Sequence, residues 1–253
     1  MIFRIINDSD RIFIKKMILN SGKILLKYFG KNLTLKRKQD YSIVTEADKK
    51  YEEFLIKNIS KKFKESSFLC EESGIKNGNS GMRWIIDPLD GTTNFSRGIP
   101  RFCISLAMEI DKELTLGVIY NPFSNEFFWA EKDKGAYLNN KKIKVSNISI
   151  LKEAILSTGD SHKDSLREFE MEILKKVYYK TYAVRKTGSV AMDLAYLACG
   201  KYDGFFHKGI NPWDCAAGIL LIREAGGMVT NFNGSKYNLD DKEIIASNGT
   251  GLH

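Results

Sequence analysis

Residues Arg83 to Pro100 read R-W-I-I-D-P-L-D-G-T-T-N-F-S-R-G-I-P. The apolar run Trp84 to Ile86 has the character of a strand and ends directly on Asp87. Pro88 brings no N–H to a ladder, so the sequence predicts a turn with Asp87 at the strand's end, thrust into a cleft. Asp90 follows, and Gly91 lets the backbone bend closely, so both carboxylates and the Leu89 carbonyl can converge on one point. Such an all-oxygen set suits a hard divalent cation. Gly91, Thr92 and Thr93 fall at a helix start, where unpaired amides and hydroxyls face an anion such as phosphate. Asp-Pro and Asp-Gly are also ordinary turn formers, and Asp90 or Thr92 also suits an N-cap.

Two more acidic sites lie outward from this segment. Glu71 and Glu72 directly follow a β-rich run, Ser67 to Cys70, and precede Ser73-Gly74, again putting carboxylates at a strand end. Asp214, in N-P-W-D-C-A-A-G, falls in the first turn of a helix begun by Asn211 or Pro212, where the helix dipole alone already favours an acid. Ala216, Ala217 and Gly218 give that helix a smooth face for close packing. Asp48, in T-E-A-D, stands three residues after Thr45 and also reads as a variant capping box. Spacing alone does not separate capping from catalysis at Asp48 and Asp214.

The 253 residues are 43% hydrophobic and 28% charged, which excludes a disordered or fibrous chain and fits one compact unit with two lobes. Lys plus Arg outnumber Asp plus Glu by 39 to 31, a mildly basic balance that admits anionic partners without naming one. The first eleven residues carry Arg4, Asp8, Asp10 and Arg11, unlike a signal peptide, and no apolar run is long enough for a membrane span. Cys70, Cys103, Cys199 and Cys215 are scattered without C-x-x-C spacing, which argues for reduced thiols and a cytoplasmic protein. Helical periodicity predicts helices over 9–29 and 45–63, and short strands over 103–110, 114–120 and 125–130 extend the β-rich runs into an antiparallel meander. Beyond residue 150, strands alternate with helices, the pattern of an α/β layer. The expected division is an α+β lobe, 1–147, carrying most of the acidic residues, and an α/β lobe, 148–253, supplying Asp214.

The segments E-E-S at 71–73, W-I-I-D-P-L-D-G-T-T-N-F at 84–95 and P-W-D-C-A-A-G at 212–218 resemble the inositol monophosphatase family. V-T-E-A-D at 44–48 and T-G-S-V-A at 187–191 belong to the same pattern, so the resemblance covers nearly the whole chain. Its D-G-T-T-N-F form is closer to the bacterial inositol-1-monophosphatase-like branch than to the nucleotidases. The resemblance implies a five-layer α-β-α-β-α sandwich of the sugar phosphatase type, phosphate monoester hydrolysis with two or three Mg²⁺, lithium sensitivity and a homodimer. It further implies that Glu71, Asp87 and the Leu89 carbonyl hold one magnesium, and that Asp87, Asp90 and Asp214 hold a second. Glu71 would also help with a third. Thr92, oriented by Asp48, would act with Glu71 on the attacking water. Gly91, Thr92, Thr93, Gly188, Ser189, Val190 and His207 would meet the substrate. The three histidines and four cysteines show no nucleophile–base spacing, in keeping with a reaction that needs no phosphoenzyme.

In one place the chain departs from that pattern. The inositol branch carries Glu seven residues before the helix Asp, where it contacts substrate hydroxyls; this chain has His207 there. An imidazole offers one donor and one acceptor when neutral and only donors when protonated, whereas a carboxylate accepts from two hydroxyls. With Lys208 and Arg185 or Lys186 nearby, a fructose-1,6-bisphosphatase or a 3'(2'),5'-bisphosphate nucleotidase is the alternative to an inositol-1-monophosphatase. His207 simply packed beside Phe205 and Phe206 is the structural alternative. The Lys-rich stretches 31–38, 49–64 and 141–144 define a third reading, a nucleic-acid-binding module, weakened by the acids interspersed among the lysines.

Overall fold

The computed structural model describes residues 6–31, 35–37, 43–161 and 163–253, with only the backbone described for 35–37 and 43–47. The start of the N-terminal segment, residues 32–34 and 38 of the 31–38 stretch, the Thr45 side chain of the variant capping box, and His162 lie outside the described residues. In chain order the elements are α1 (Asp8–Tyr28), β1 (Leu35–Arg37), β2 (Ile43–Thr45), α2 (Glu46–Lys62), β3 (Ser67–Cys70), β4 (Gly74–Lys76) and β5 (Met82–Asp90). Next come α3 (Thr92–Ser96), β6 (Cys103–Ile110), β7 (Glu113–Asn121), β8 (Glu126–Glu131), β9 (Gly135–Leu138) and β10 (Lys141–Lys142). The second half holds β11 (Ile155–Thr158), α4 (Asp164–Tyr178), β12 (Ala183–Arg185), α5 (Val190–Ala198), β13 (Gly204–Lys208), α6 (Pro212–Glu224), β14 (Met228–Thr230) and β15 (Glu243–Ser247).

These elements form five layers. An eight-stranded sheet, ordered β10-β9-β8-β7-β6-β5-β3-β4, carries α1 and α2 on one face and α5 and α6 on the other. A five-stranded sheet, ordered β12-β11-β13-β15-β14, covers α5 and α6 from beyond, and α4 closes the stack over Leu156 and Phe206. Strand periodicity explains the double-sided burial. Trp84 and Ile86 of β5 face α1 and α2 while Ile85 faces α5 and α6, and on β6 Ile104, Leu106 and Met108 oppose Cys103 and Ala107 in the same way. Tyr51, Leu55, Ile59 and Phe63 make the buried stripe predicted for α2, and the Phe63 ring lies 5.0 Å from that of Trp84. The smooth face of α6 is used as expected: a Cβ on Gly218 would lie 2.5 Å from Leu194 of α5. The α-β-α-β-α sandwich that the resemblance implies is the observed architecture.

Two local expectations are corrected. β5 does not end at Asp87; it continues past Pro88 to Asp90, with a register shift between them, because a β-bulge absorbs the missing N–H while Asp90 regains a partner in Cys103. The first-half strands are also not all antiparallel, since β3 runs parallel to β5 before the meander begins. All four cysteines are free thiols. Among the described residues no helix is long and apolar enough to cross a membrane.

Candidate active site

The parallel pairing of β3 with β5 sets Cys70 against Ile86, so the next residues, Glu71 and Asp87, leave the two strands side by side. The Glu71 amide continues the ladder by donating to the Ile86 carbonyl at 3.2 Å. The bulge then re-aims the backbone so that Asp90 also turns inward, and α6 brings Asp214 from the other half of the chain. A cleft of about 680 Å³ is lined by Glu71, Asp90 and Asp214, with Gly91, Thr92 and Thr93 beside them. Asp87 lies deeper, 2% exposed.

The carboxylates feel one another. Burial pushes the Asp87 carboxyl well above its ordinary range, and the charges of Glu71, Asp90 and Asp214 push it further. Burial, then Glu71, raise Asp214 to about 8 against the hydrogen bond from Asn211. Asp90 is raised by burial despite its donors. None of the described ion pairs involves Asp87, Asp90 or Asp214. Instead each turns one oxygen to a neutral donor. Leu89 N donates to Asp87 Oδ1 at 2.9 Å, and Asn211 N to Asp214 Oδ2 at 2.8 Å. Asp90 Oδ2 accepts from the Ser189 hydroxyl and from Ala191 N at 3.0 Å. Asp214 thus caps its helix and also lines the cleft.

Among the described residues no three carboxylate, imidazole or thiolate groups are drawn tightly enough together to hold an ion as they stand. The donor set nevertheless fits a hard divalent cation. It is all oxygen, Asp87 and Asp90 are buried and Glu71 and Asp214 partly so, and its mutual repulsion is the electrostatic strain that a cation relieves.

Thr92 opens α3 next to this cluster. Its hydroxyl lies 3.2 Å from Asp48 Oδ1 and 2.9 Å from the Leu89 carbonyl, so the link between Asp48 and Thr92 is made across 44 positions of sequence. Gly91 has φ 86°, and a Cβ there would lie 2.8 Å from the Arg101 carbonyl, so only glycine lets the backbone enter the cleft at this point. Asn94, quoted in the motif but given no role by sequence, donates to the Arg101 and Thr187 carbonyls, both at 2.8 Å. It thereby ties the loop after α3 to the loop before α5. Gly188 and Val190 line the cleft, whereas Ser189 is buried and spends its hydroxyl on Asp90. No spacing rule would have found that link.

His207 stands on the opposing wall, on β13 opposite Ile244. Its ring lies against Gly159, where a Cβ would be 2.9 Å away, and 6.4 Å from the Phe205 ring. Burial, and secondarily Lys186, lower its pKa to about 4, so it is neutral at neutral pH. Lys186 already bonds Asp160 at 2.9 Å and Glu170 at 3.0 Å, and Lys208 pairs with Glu243 at 2.6 Å. Two of the cations that pointed to a more anionic substrate, Lys186 and Lys208, are therefore neutralised within the protein, while Arg185 is exposed and donates to the Val184 carbonyl.

Comparison with known proteins agrees with this geometry. The family model described as the inositol monophosphatase family matches residues 7–253. An inositol-1-monophosphatase of Mesorhizobium japonicum is 40% identical over 235 residues, covering 91% of this chain and 88% of the relative. A protein of Xylella fastidiosa named Nus factor SuhB is 38% identical over 244 residues, covering 92% and 88%. The crystal structure of the extragenic suppressor protein suhB from Bartonella henselae superposes with a TM-score of 0.91 at 37% identity, covering 96% of this chain and 95% of that one. With its acidic cluster, its Asp48–Thr92 link and its five layers in the order the motifs require, the chain belongs to the inositol monophosphatase family.

Proposed function

We propose that the protein is a magnesium-dependent phosphate monoester hydrolase whose preferred substrate is inositol 1-phosphate. The observation that carries this reading is the convergence of Glu71, Asp87, Asp90 and Asp214, from β3, β5 and α6, on one cleft beside the first amides of α3. Glu71, Asp87, Asp90, Asp214 and the Leu89 carbonyl would hold two or three Mg²⁺, with Asp87 shared. Bound there, the ions would neutralise a cluster that otherwise repels a phosphate dianion, and would supply the Lewis acidity that the phosphoryl group needs.

The chain's own groups supply the rest. The Gly91 and Thr92 amides, lacking intrahelical acceptors, hold phosphate oxygens, and Thr93 borders them. A hydroxyl has one proton and Thr92 has two acceptors for it, so with the Leu89 carbonyl engaged as a metal ligand the proton would go to Asp48 and the lone pairs would be left to accept from the attacking water and aim it. Glu71 takes the water's proton. Gly188 and Val190 bound the substrate, and Ser189 serves by fixing Asp90. In this reading residues 1–147 carry most of the ligands, 148–253 add Asp214 and the substrate side, and the enzyme is a lithium-sensitive cytoplasmic homodimer.

Phosphate release from inositol 1-phosphate, with excess Mg²⁺ and with EDTA, tests the reading against fructose 1,6-bisphosphate and adenosine 3',5'-bisphosphate. Magnesium-dependent release that is fastest from inositol 1-phosphate is expected. Negligible release beside either bisphosphate would overturn the substrate. Salt-sensitive retention on RNA with no magnesium-dependent turnover of any of them would overturn the enzyme class in favour of nucleic-acid binding.

A further inference from the structure

Asp160 follows Gly159 in the β11–α4 connection and lines the cleft on the same wall as His207. Sequence gives it no role, because G-D-S between a strand and a helix is an ordinary solvated turn. The structure gives it a fixed one. Lys186 Nζ holds Asp160 Oδ1 at 2.9 Å, and no hydrogen bond to Oδ2 is found among the described residues, while the side chain is 50% exposed. One oxygen is anchored and the other is available to the cleft.

We infer that Asp160 selects the alcohol half of the substrate, its carboxylate accepting hydroxyl hydrogens of an uncharged polyol phosphate; this rests on the phosphatase reading above. Three observations converge on it. Lys186 is shared between Asp160 and Glu170, so this corner carries one more negative than positive charge, and a second phosphate there would face a carboxylate where a hydroxyl would donate to one. His207, 6% exposed, lines the same cleft, and its buried Nδ1 has no partner among the described residues. The ring and the carboxylate are also set side by side by Gly159, on whose bare Cα the imidazole rests. A polyol, whose hydroxyls both donate and accept, meets a neutral imidazole and a carboxylate together. Lys163 and Lys242 also border the cleft, Lys242 reaching Asn211 Oδ1 at 3.5 Å, and they are what a bisphosphate would use instead.

The test compares Asp160→Asn and Asp160→Ala with wild type in the magnesium-loaded enzyme, on inositol 1-phosphate and on phenyl phosphate, which has no hydroxyl to offer. Lys186 keeps Glu170 in both variants, so each should melt close to wild type. The expected result is a KM for inositol 1-phosphate raised about 10-fold or more, consistent with loss of hydrogen bonds to a charged acceptor. Its kcat, and both constants for phenyl phosphate, should stay within about 2-fold. An equal loss on both substrates, an unchanged KM for inositol 1-phosphate, or a wild type that prefers fructose 1,6-bisphosphate would overturn the assignment. Wild type inert on every phosphate monoester would instead overturn the phosphatase reading, and the assignment with it.

Discussion

The two walls of the cleft handle their carboxylates in opposite ways. On one wall Asp87 and Asp90 are buried and Asp214 partly so, Asp87 and Asp214 are pushed up by burial and by the carboxylates around them, and among the described residues the three accept only from neutral donors. On the other, Asp160 and Glu170 share Lys186, and Lys208 takes Glu243. Carboxylates that the fold has paired are fixed parts of a surface. Carboxylates that the fold has buried and left without a cation carry an electrostatic debt that an ion from solution can settle. The same residue type already holds a cation on one wall and still lacks one on the other, and the pairing tells them apart.

Neutralising Asp87 probes this contrast hardest. Asp87→Asn should lower kcat by about 10³-fold or more, roughly 4 kcal/mol of transition-state stabilisation, while circular dichroism stays native. Without metal the variant should melt above wild type, because the charge it removes is one that burial and three neighbours disfavour. Added Mg²⁺ should reverse that order by stabilising wild type alone. Thr92→Ala, which removes the hydroxyl and spares the ligands, should lower kcat by about 10²-fold, with magnesium affinity from calorimetry unchanged. Gly91→Ala forces a side chain into left-handed backbone against the Arg101 carbonyl, and should cost about 1–3 kcal/mol in denaturant unfolding. Lys208→Ala, which breaks a partly exposed pair on the other wall, should cost under about 1 kcal/mol in the same measurement. A larger loss at Lys208 than at Gly91 would blur the distinction between the walls.

Most of the fold was legible because burial repeats. The stripe of α2, the strand alternation after residue 150 and the capped start of α6 each write their period or cap into adjacent residues. The passage of β5 through Pro88 was not legible, since a bulge depends on the neighbouring strand, and β9, four residues, and β10, two lysines, are too short to stand out. In the site, the residues that the motifs display line one cleft or stand directly behind it. Their supports were hidden: Ser189 reaches Asp90 across 99 positions, and Asn94 reaches Thr187 across 93. The Asp160–Lys186–Glu170 corner was hidden for the same reason, as three charges in polar surroundings look solvated until the chain folds them together. Local order follows from local sequence, whereas contacts over long separations belong to the topology.

Crystals soaked in Mn²⁺ and measured at the manganese edge give the most direct check on the acidic wall. Anomalous density should fall at coordination distance from Asp87, shared with Asp90 and Asp214 on one side and with Glu71 on the other, and should vanish in Asp87→Asn crystals. Density elsewhere in the molecule, or none in the cleft at saturating manganese, would contradict a metal-dependent site.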